Sequence, residues 1–223
     1  MRPRVILHNM VSVDGRTDGF PTPDLGLFYE LAGRWKEDAT LVGVNTIIAG
    51  CEQEQDSGAA DADLQQPDPN DTRPILVVPD SRGRLRYWDR VRRWPYWRRA
   101  VALCSAATPP EYLGGLEAAG IDTILSGDDH VDYAGALDTL AQRYGVKVLR
   151  VDSGGVLNGV LLRAGLVDEV SVVTVPHLVG GETARSIFRA PGLASSDEAL
   201  GLTLLHCERL KDDVVWLHYE VKR

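Results

Sequence analysis

Lys147 to Phe188 read KVLRVDSGGVLNGVLLRAGLVDEVSVVTVPHLVGGETARSIF, and this stretch decides the architecture. Val148, Leu149 and Val151 form an apolar strand pattern that runs into Gly154-Gly155. A helix pattern starts at once, with Val156, Leu157, Val160, Leu161 and Ala164 expected on one face. Gly165 then stands where a helix C-cap belongs. Glycines between a strand end and a helix start let the backbone come close to a ligand and leave free N–H groups pointing at it. The anion suited to such a turn is usually a phosphate. The same pattern also serves as a plain tight turn, and spacing alone leaves both readings open.

Outward from this unit, strands and helices alternate. Arg4 to Leu7 predict a first strand, followed by the turn-rich segment Asn9 to Gly19. Thr22-Pro23-Asp24 reads as a helix start, with Thr22 as N-cap and Pro23 at the first helical position. Ala39 to Val42 predict a strand that ends in Gly43-Val44-Asn45-Thr46, with a helix starting near Thr46. Residues 52–73 are acidic, Pro-rich and poor in aliphatics, and read as a mobile surface loop. Further strands are expected over Pro74–Val78, Ala100–Cys104, Ile121–Leu125 and Glu169–Val175, and further helices over Pro110–Ala119 and Tyr133–Tyr144. Leu202–Glu208 and Val214–Val221 suggest a closing hairpin through Lys211-Asp212-Asp213. The prediction is one α/β domain over residues 1–223, with helices on both faces of a mixed, mostly parallel sheet. Five strands end in small or polar residues, and in an open α/β sheet such ends converge on one ligand-binding edge. Neither a G-x-G-x-x-G fingerprint after the first strand nor a Walker A motif is present.

Composition narrows the function classes. A net charge of −8 argues against general nucleic-acid binding, even though Arg82 to Arg99 interleave arginines with aromatics. Packing of those aromatics on the body, or at a dimer contact, is the favoured reading. No apolar run reaches the ~20 residues that a membrane helix needs. The N-terminus has no signal-peptide core, so a cytoplasmic protein is expected. Cys51, Cys104 and Cys207 and the five histidines show no metal-ligand spacing, and no metal is expected.

Several pieces together resemble a known family: SVDGR at Ser12–Arg16, EDATLVGVNT at Glu37–Thr46, PILVVPDSRGRL at Pro74–Leu85 and, most specifically, VDSGGVLNGVLLRAGLVDEVSVVTVPHLVGG at Val151–Gly181. The chain resembles the reductase domain of riboflavin biosynthesis, the RibD C-terminal family, which has a dihydrofolate-reductase-like fold. That resemblance implies NADPH as cofactor and a homodimer, for which the apolar run Val170–Val175 with its flanking strands is a candidate interface. The implied substrate is a ribosylamino-pyrimidine 5′-phosphate whose ribosyl group is reduced to ribityl. It also implies that Gly43, Asn45, Thr46, Gly154, Gly155, Val156 and Leu157 hold the cofactor phosphates, and that Asp80, Ser81 and Arg82 lie near the adenosine ribose. Arg82 is then either a partner for a 2′-phosphate or a plain solvated turn residue. Family members often have a cis peptide between the two glycines.

On the same resemblance, Asp24 is the candidate catalytic residue, facing the substrate. Its alternative is to stabilise the dipole of the helix that it starts. Asn9, Ser12, Asp14 and Ser153 are the candidate substrate-binding residues, with Ser12 expected as a contact and Asp14 as a shaper of its loop. Two departures bear on the substrate. Ser153 occupies the place where the family often has Glu, and the Asp-x-Pro that usually follows the GVNT turn is replaced by Cys51-Glu52-Gln53. They keep two alternatives open: a related reductase acting on a pterin or a small carbonyl compound, and a non-catalytic nucleotide-binding module.

Overall fold

The structure is a computed structural model that describes residues 2–21, 25–53, 70–181 and 185–222. In chain order the elements are β1 (Arg4–Ser12), α1 (Leu25–Ala32), β2 (Ala39–Val42), α2 (Val44–Gln53), β3 (Ile75–Pro79) and α3 (Trp88–Val91). They continue with β4 (Arg99–Cys104), α4 (Pro110–Ala118), β5 (Asp122–Leu125), α5 (Tyr133–Tyr144) and β6 (Val148–Asp152). The last are α6 (Gly155–Arg163), β7 (Glu169–Val175), β8 (Leu202–Arg209) and β9 (Val215–Val221). The chain divides into two compact units: residues 37–149 with the first three residues, and residues 4–36 with 150–223. The boundary falls inside β6.

In the first unit the strand order is β5-β4-β3-β2, all parallel. Parallel pairing requires crossovers, and α2, α3 and α4 supply them. Alternation along the strands sends Leu76, Val78, Ala102 and Cys104 to one face, where they pack with Ile47 of α2, Trp88 and Val91 of α3, and Tyr112 and Leu116 of α4. The favoured packing of the basic-aromatic segment on the body is what the structure shows. Tyr87, Trp94 and Trp97 pack against this cluster, and only Tyr96 stands well out. Helix α5 starts on Asp132, whose carboxylate accepts from Ala134 and Gly135 N–H, and stops at Gly145 with φ +69°. The predicted loop over residues 52–73 is helical at its start, since α2 runs to Gln53. At its other end Arg73 forks onto Asp71, and residues 54–69 lie outside the described residues.

In the second unit the order is β6-β1-β7-β9-β8, with β1 and β7 parallel and β9 antiparallel to both its neighbours. The expected hairpin is present. Its turn places Asp212 and Asp213 at φ +56° and +57°, a conformation that Asp tolerates better than most residues. Strand β7 lies between β1 and β9, with Val170, Val173 and Val175 buried and Val172 half-buried. At the sheet edge beyond β9, the flanking strand β8 leaves Leu204 and Leu205 about half exposed (53% and 50%).

A buried polar chain runs through this unit. His8 contacts the Phe28 carbonyl through Nε2 (3.1 Å) and Ser171 Oγ through Nδ1 (2.9 Å), while Trp216 Nε1 donates to the same Ser171 Oγ (2.8 Å). A carbonyl only accepts, so Nε2 carries the proton and Nδ1 accepts from Ser171. Burial, helped by the nearby Arg150 charge, pushes His8 down to about 3 against the opposing pull of its Phe28 hydrogen bond. Glu169 is gripped by Arg4 and by His218 (2.7 Å).

Candidate functional site

The turn after β2 is short. The Gly43 carbonyl accepts from Thr46 and Ile47 N–H (2.9 and 3.2 Å), which closes the first turn of α2. The first N–H groups of a helix lack intrahelical partners, so those of Val44 and Asn45 remain for water or a ligand. The Asn45 and Thr46 side chains are exposed.

The turn after β3 is held from beneath. Asp80 is only 2% exposed, and its Oδ2 accepts from Leu85 N–H (2.8 Å) and Tyr112 hydroxyl (2.9 Å). Trp88 Nε1 in turn donates to the Tyr112 oxygen (2.8 Å). Burial drives the Tyr112 phenol far above its ordinary range, so it stays a donor to the carboxylate. Gly83 has φ +63°, and a Cβ there would stand 2.7 Å from the Tyr112 ring. Thr108 Oγ1 holds the Ser81 carbonyl (3.0 Å). Asp80 Oδ1 makes no hydrogen bond among the described residues, and the guanidinium of Arg84 stands 4.0 Å away. Asp80, expected near a ribose, therefore faces inward as the anchor of the turn. Ser81 and Arg82 are the members left accessible. Arg84, which the sequence reading passes over, ties this turn to the preceding one through Asn45 Oδ1 (2.9 Å).

In the second unit the Gly-Gly turn separates into two roles. Gly154 (φ −79°, ψ 171°) is exposed, and nothing would lie within 4 Å of an added Cβ. Its conformation is open to any residue, so only the free space above it distinguishes the position. Gly155 is buried, and a Cβ there would collide with the Ser186 carbonyl oxygen; one on Gly159 would collide with the Arg189 carbonyl. The segment 186–190 thus lies directly on the glycine face of α6, and Arg189 N–H donates to the Gly155 carbonyl (2.9 Å). Gly155 therefore has a packing role of its own beside the ligand role expected of its main chain. The Gly154–Gly155 bond is trans, unlike the cis bond that the resemblance suggests. The predicted helix face also changes: Leu157 and Leu161 are buried, whereas Val156 and Val160 are exposed. Gly165 (φ +65°) does end the helix, with Leu166 N–H returning to the Leu161 carbonyl.

Asn9 and Asn158 meet beneath this turn. Asn158 Nδ2 donates to Asn9 Oδ1 (2.9 Å) and to the Ile187 carbonyl (2.8 Å), with the Ser153 carbonyl 3.4 Å away. Asn9 Nδ2 donates to that same Ser153 carbonyl (2.7 Å). Asn158 is wholly buried and its Oδ1 has no partner among the described residues, a cost of about 1–3 kcal/mol that its donated bonds must offset. A polar residue at a core position of an apolar helix is the signal that could have singled out Asn158.

Ser12 donates to Asp14 (2.6 Å) and accepts from Arg16 N–H (2.9 Å), and it is only 1% exposed. The structure gives it a loop-building role where the sequence reading favours a substrate contact. Asp14 also accepts from Val179 and Gly180 N–H (3.1 and 2.7 Å). The Ser12 hydroxyl, with those two amides, holds its carboxyl well below the usual range. Ser153 is buried, and neighbouring Asp152 pairs with the buried Arg150 (3.2 Å). Asp24 lies outside the described residues. No group of three or more acidic, His or Cys side chains suited to a metal occurs among the described residues. No helix among them is long and apolar enough to cross a membrane.

Comparison with known proteins places this arrangement. The model of the RibD C-terminal domain family matches residues 3–216. A 2,5-diamino-6-ribosylamino-4(3H)-pyrimidinone 5′-phosphate reductase from Methanothermobacter thermautotrophicus is 31% identical over 229 residues, covering 100% of both chains. Among solved structures, Acinetobacter baumannii RibD superposes with a TM-score of 0.71 at 22% identity, covering 99% of this chain and 58% of that one. A pyrimidine reductase-like protein from Corynebacterium diphtheriae gives 0.71 at 17% identity, covering 99% and 92%. The fold is the dihydrofolate-reductase-like α/β fold, and the chain belongs to the RibD C-terminal domain family.

Proposed function

We propose that this chain is an NADPH-dependent reductase that converts the ribosyl group of a ribosylamino-pyrimidine 5′-phosphate to ribityl. The observation that carries the reading is the end-to-end match to the Methanothermobacter thermautotrophicus reductase, whose name specifies a diamino-pyrimidinone substrate. NADPH, when bound, would supply hydride chemistry at C1′ of the sugar, with the C1′–O4′ bond opening and O4′ protonated. The chain's own task is then to hold and orient, which can account for much of the rate. In the first unit, Gly43, Asn45 and Thr46 offer amides and side chains to phosphate, and Ser81 and Arg82 are accessible for the adenosine end. In the second, the main chain at Gly154, Val156 and Leu157 offers helix-start N–H groups to the diphosphate. Asp24 remains the proposed residue for orienting the pyrimidine or a proton. A second copy of the chain, seated on the uncovered β8, completes the assembly.

Purified protein is mixed with NADPH and either the diamino-pyrimidinone or the amino-uracil form of the ribosylamino phosphate, and the reduced-nicotinamide absorbance is followed. Rapid oxidation with either substrate, preferring the diamino form, is expected. Ser153 in the place of Glu favours the rival reading of a reductase for another substrate. Turnover of a pterin or small carbonyl compound, with neither pyrimidine consumed, would establish that rival.

A further inference from the structure

We infer that Asn9 and Asn158 are positioning residues that aim the Gly154 N–H outward. The ligand named for that N–H, the cofactor diphosphate, rests on the function proposed above. The peptide between Ser153 and Gly154 sets the direction. It is trans and planar, so its C=O and N–H point in opposite directions. The carbonyl is drawn inward by Asn9 Nδ2 at 2.7 Å, with Asn158 Nδ2 behind it at 3.4 Å. The N–H must then face away from the buried amides, on the side where Gly154 is exposed and nothing lies within 4 Å of its missing side chain.

The orientation of both amides follows from their partners. The Ile187 carbonyl accepts only, so Asn158 must turn Nδ2 toward it, and the second N–H of that group reaches Asn9 Oδ1. With its oxygen so occupied, Asn9 can offer only Nδ2 to Ser153. The relay therefore has a single sense. It also explains why a fully buried Asn158 leaves its Oδ1 unpaired: every neighbour that it serves is an acceptor. The strap 186–190 joins the same device. It can lie on α6 only because Gly155 and Gly159 have no side chains, and it delivers the Ile187 carbonyl that orients Asn158.

The test uses the full chain labelled with nitrogen-15 glycine. Amide exchange, pyrophosphate titration and NADPH titration are measured on the wild type and on Asn9→Leu and Asn158→Leu, near-isosteric changes that bury no new charge. In the wild type the Gly154 amide should exchange without protection and shift on adding pyrophosphate. Asn9→Leu should weaken pyrophosphate and NADPH at least tenfold, and Asn158→Leu by a smaller factor, with melting temperatures lowered only by the carbonyls left without a donor. Folded variants that bind both ligands within twofold of wild type would overturn the inference. So would a Gly154 amide protected in the ligand-free wild type, a reading that stands even if both variants fail to fold. Pyrophosphate shifts at Gly154 without NADPH binding would keep the positioning role and remove the cofactor reading.

Discussion

The turn after β3 and the turn after β6 are both held from below, one by an ion and the other by neutral amides. Beneath the first, the Asp80 carboxylate gathers Leu85 N–H and the Tyr112 hydroxyl. Beneath the second, Asn9 and Asn158 gather carbonyls. An ion without its partners is costly to bury, so damage to the first device should register as lost stability. A neutral amide relay mainly sets direction, so damage to the second should register as lost binding. The difference separates fold maintenance from ligand presentation within one protein.

The largest effect is expected on α6 itself. Gly159→Val drives a side chain into the Arg189 carbonyl and should cost about 3 kcal/mol or more, read as a shifted urea midpoint. Gly154→Ala enters open space and should leave the midpoint nearly unchanged while weakening NADPH. Equal stability losses at the two glycines would mean that the strap does not rest where the structure puts it.

Acid should reach the second unit through His8. Its folded pKa, about 3, lies below the ordinary value of about 6.5, so the unfolded chain binds the extra proton. Stability is therefore full above about pH 6.5 and falls by up to about 1.4 kcal/mol per unit as pH drops toward 3. Glu169 adds to the loss at the acid end. Burial raises its pKa, but His218 and Arg4 outweigh that and leave it lowered, so its contribution holds above the ordinary carboxylate range and fades below it. His8→Gln should flatten the stretch from pH 6.5 to 5 in denaturant titrations. An unchanged slope would remove His8 as the cause.

A smaller effect is expected under the β3 turn. Tyr112→Phe removes one of the two donors to Asp80 Oδ2 and leaves Trp88 Nε1 without its acceptor. A loss of about 2 kcal/mol in thermal or urea unfolding is expected. The NADPH affinity of the folded fraction should change little, whereas a large change there with stability intact would reverse the contrast between the two turns.

Features set by neighbours in sequence were legible. Strand–helix alternation, the stop at Gly165 and the turn at Lys211–Asp213 all follow from local pattern and turn chemistry. What escaped reading depends on partners far along the chain. Asp80 turns inward because Tyr112, 32 residues later, brings it a hydroxyl. Gly155 serves packing because segment 186–190 returns to cover it, and the same cover leaves Val156 and Val160 on the exposed side of α6. Asn9 resembles a loop-edge ligand residue until Asn158, 149 positions away, takes its oxygen.

The most direct test of the central claim is a crystal structure of the protein soaked with NADPH. A diphosphate oxygen is expected within hydrogen-bonding distance of the Gly154 N–H, with the Ser153 carbonyl still held by Asn9. A diphosphate bound elsewhere, leaving the Gly154 N–H facing solvent, would contradict it.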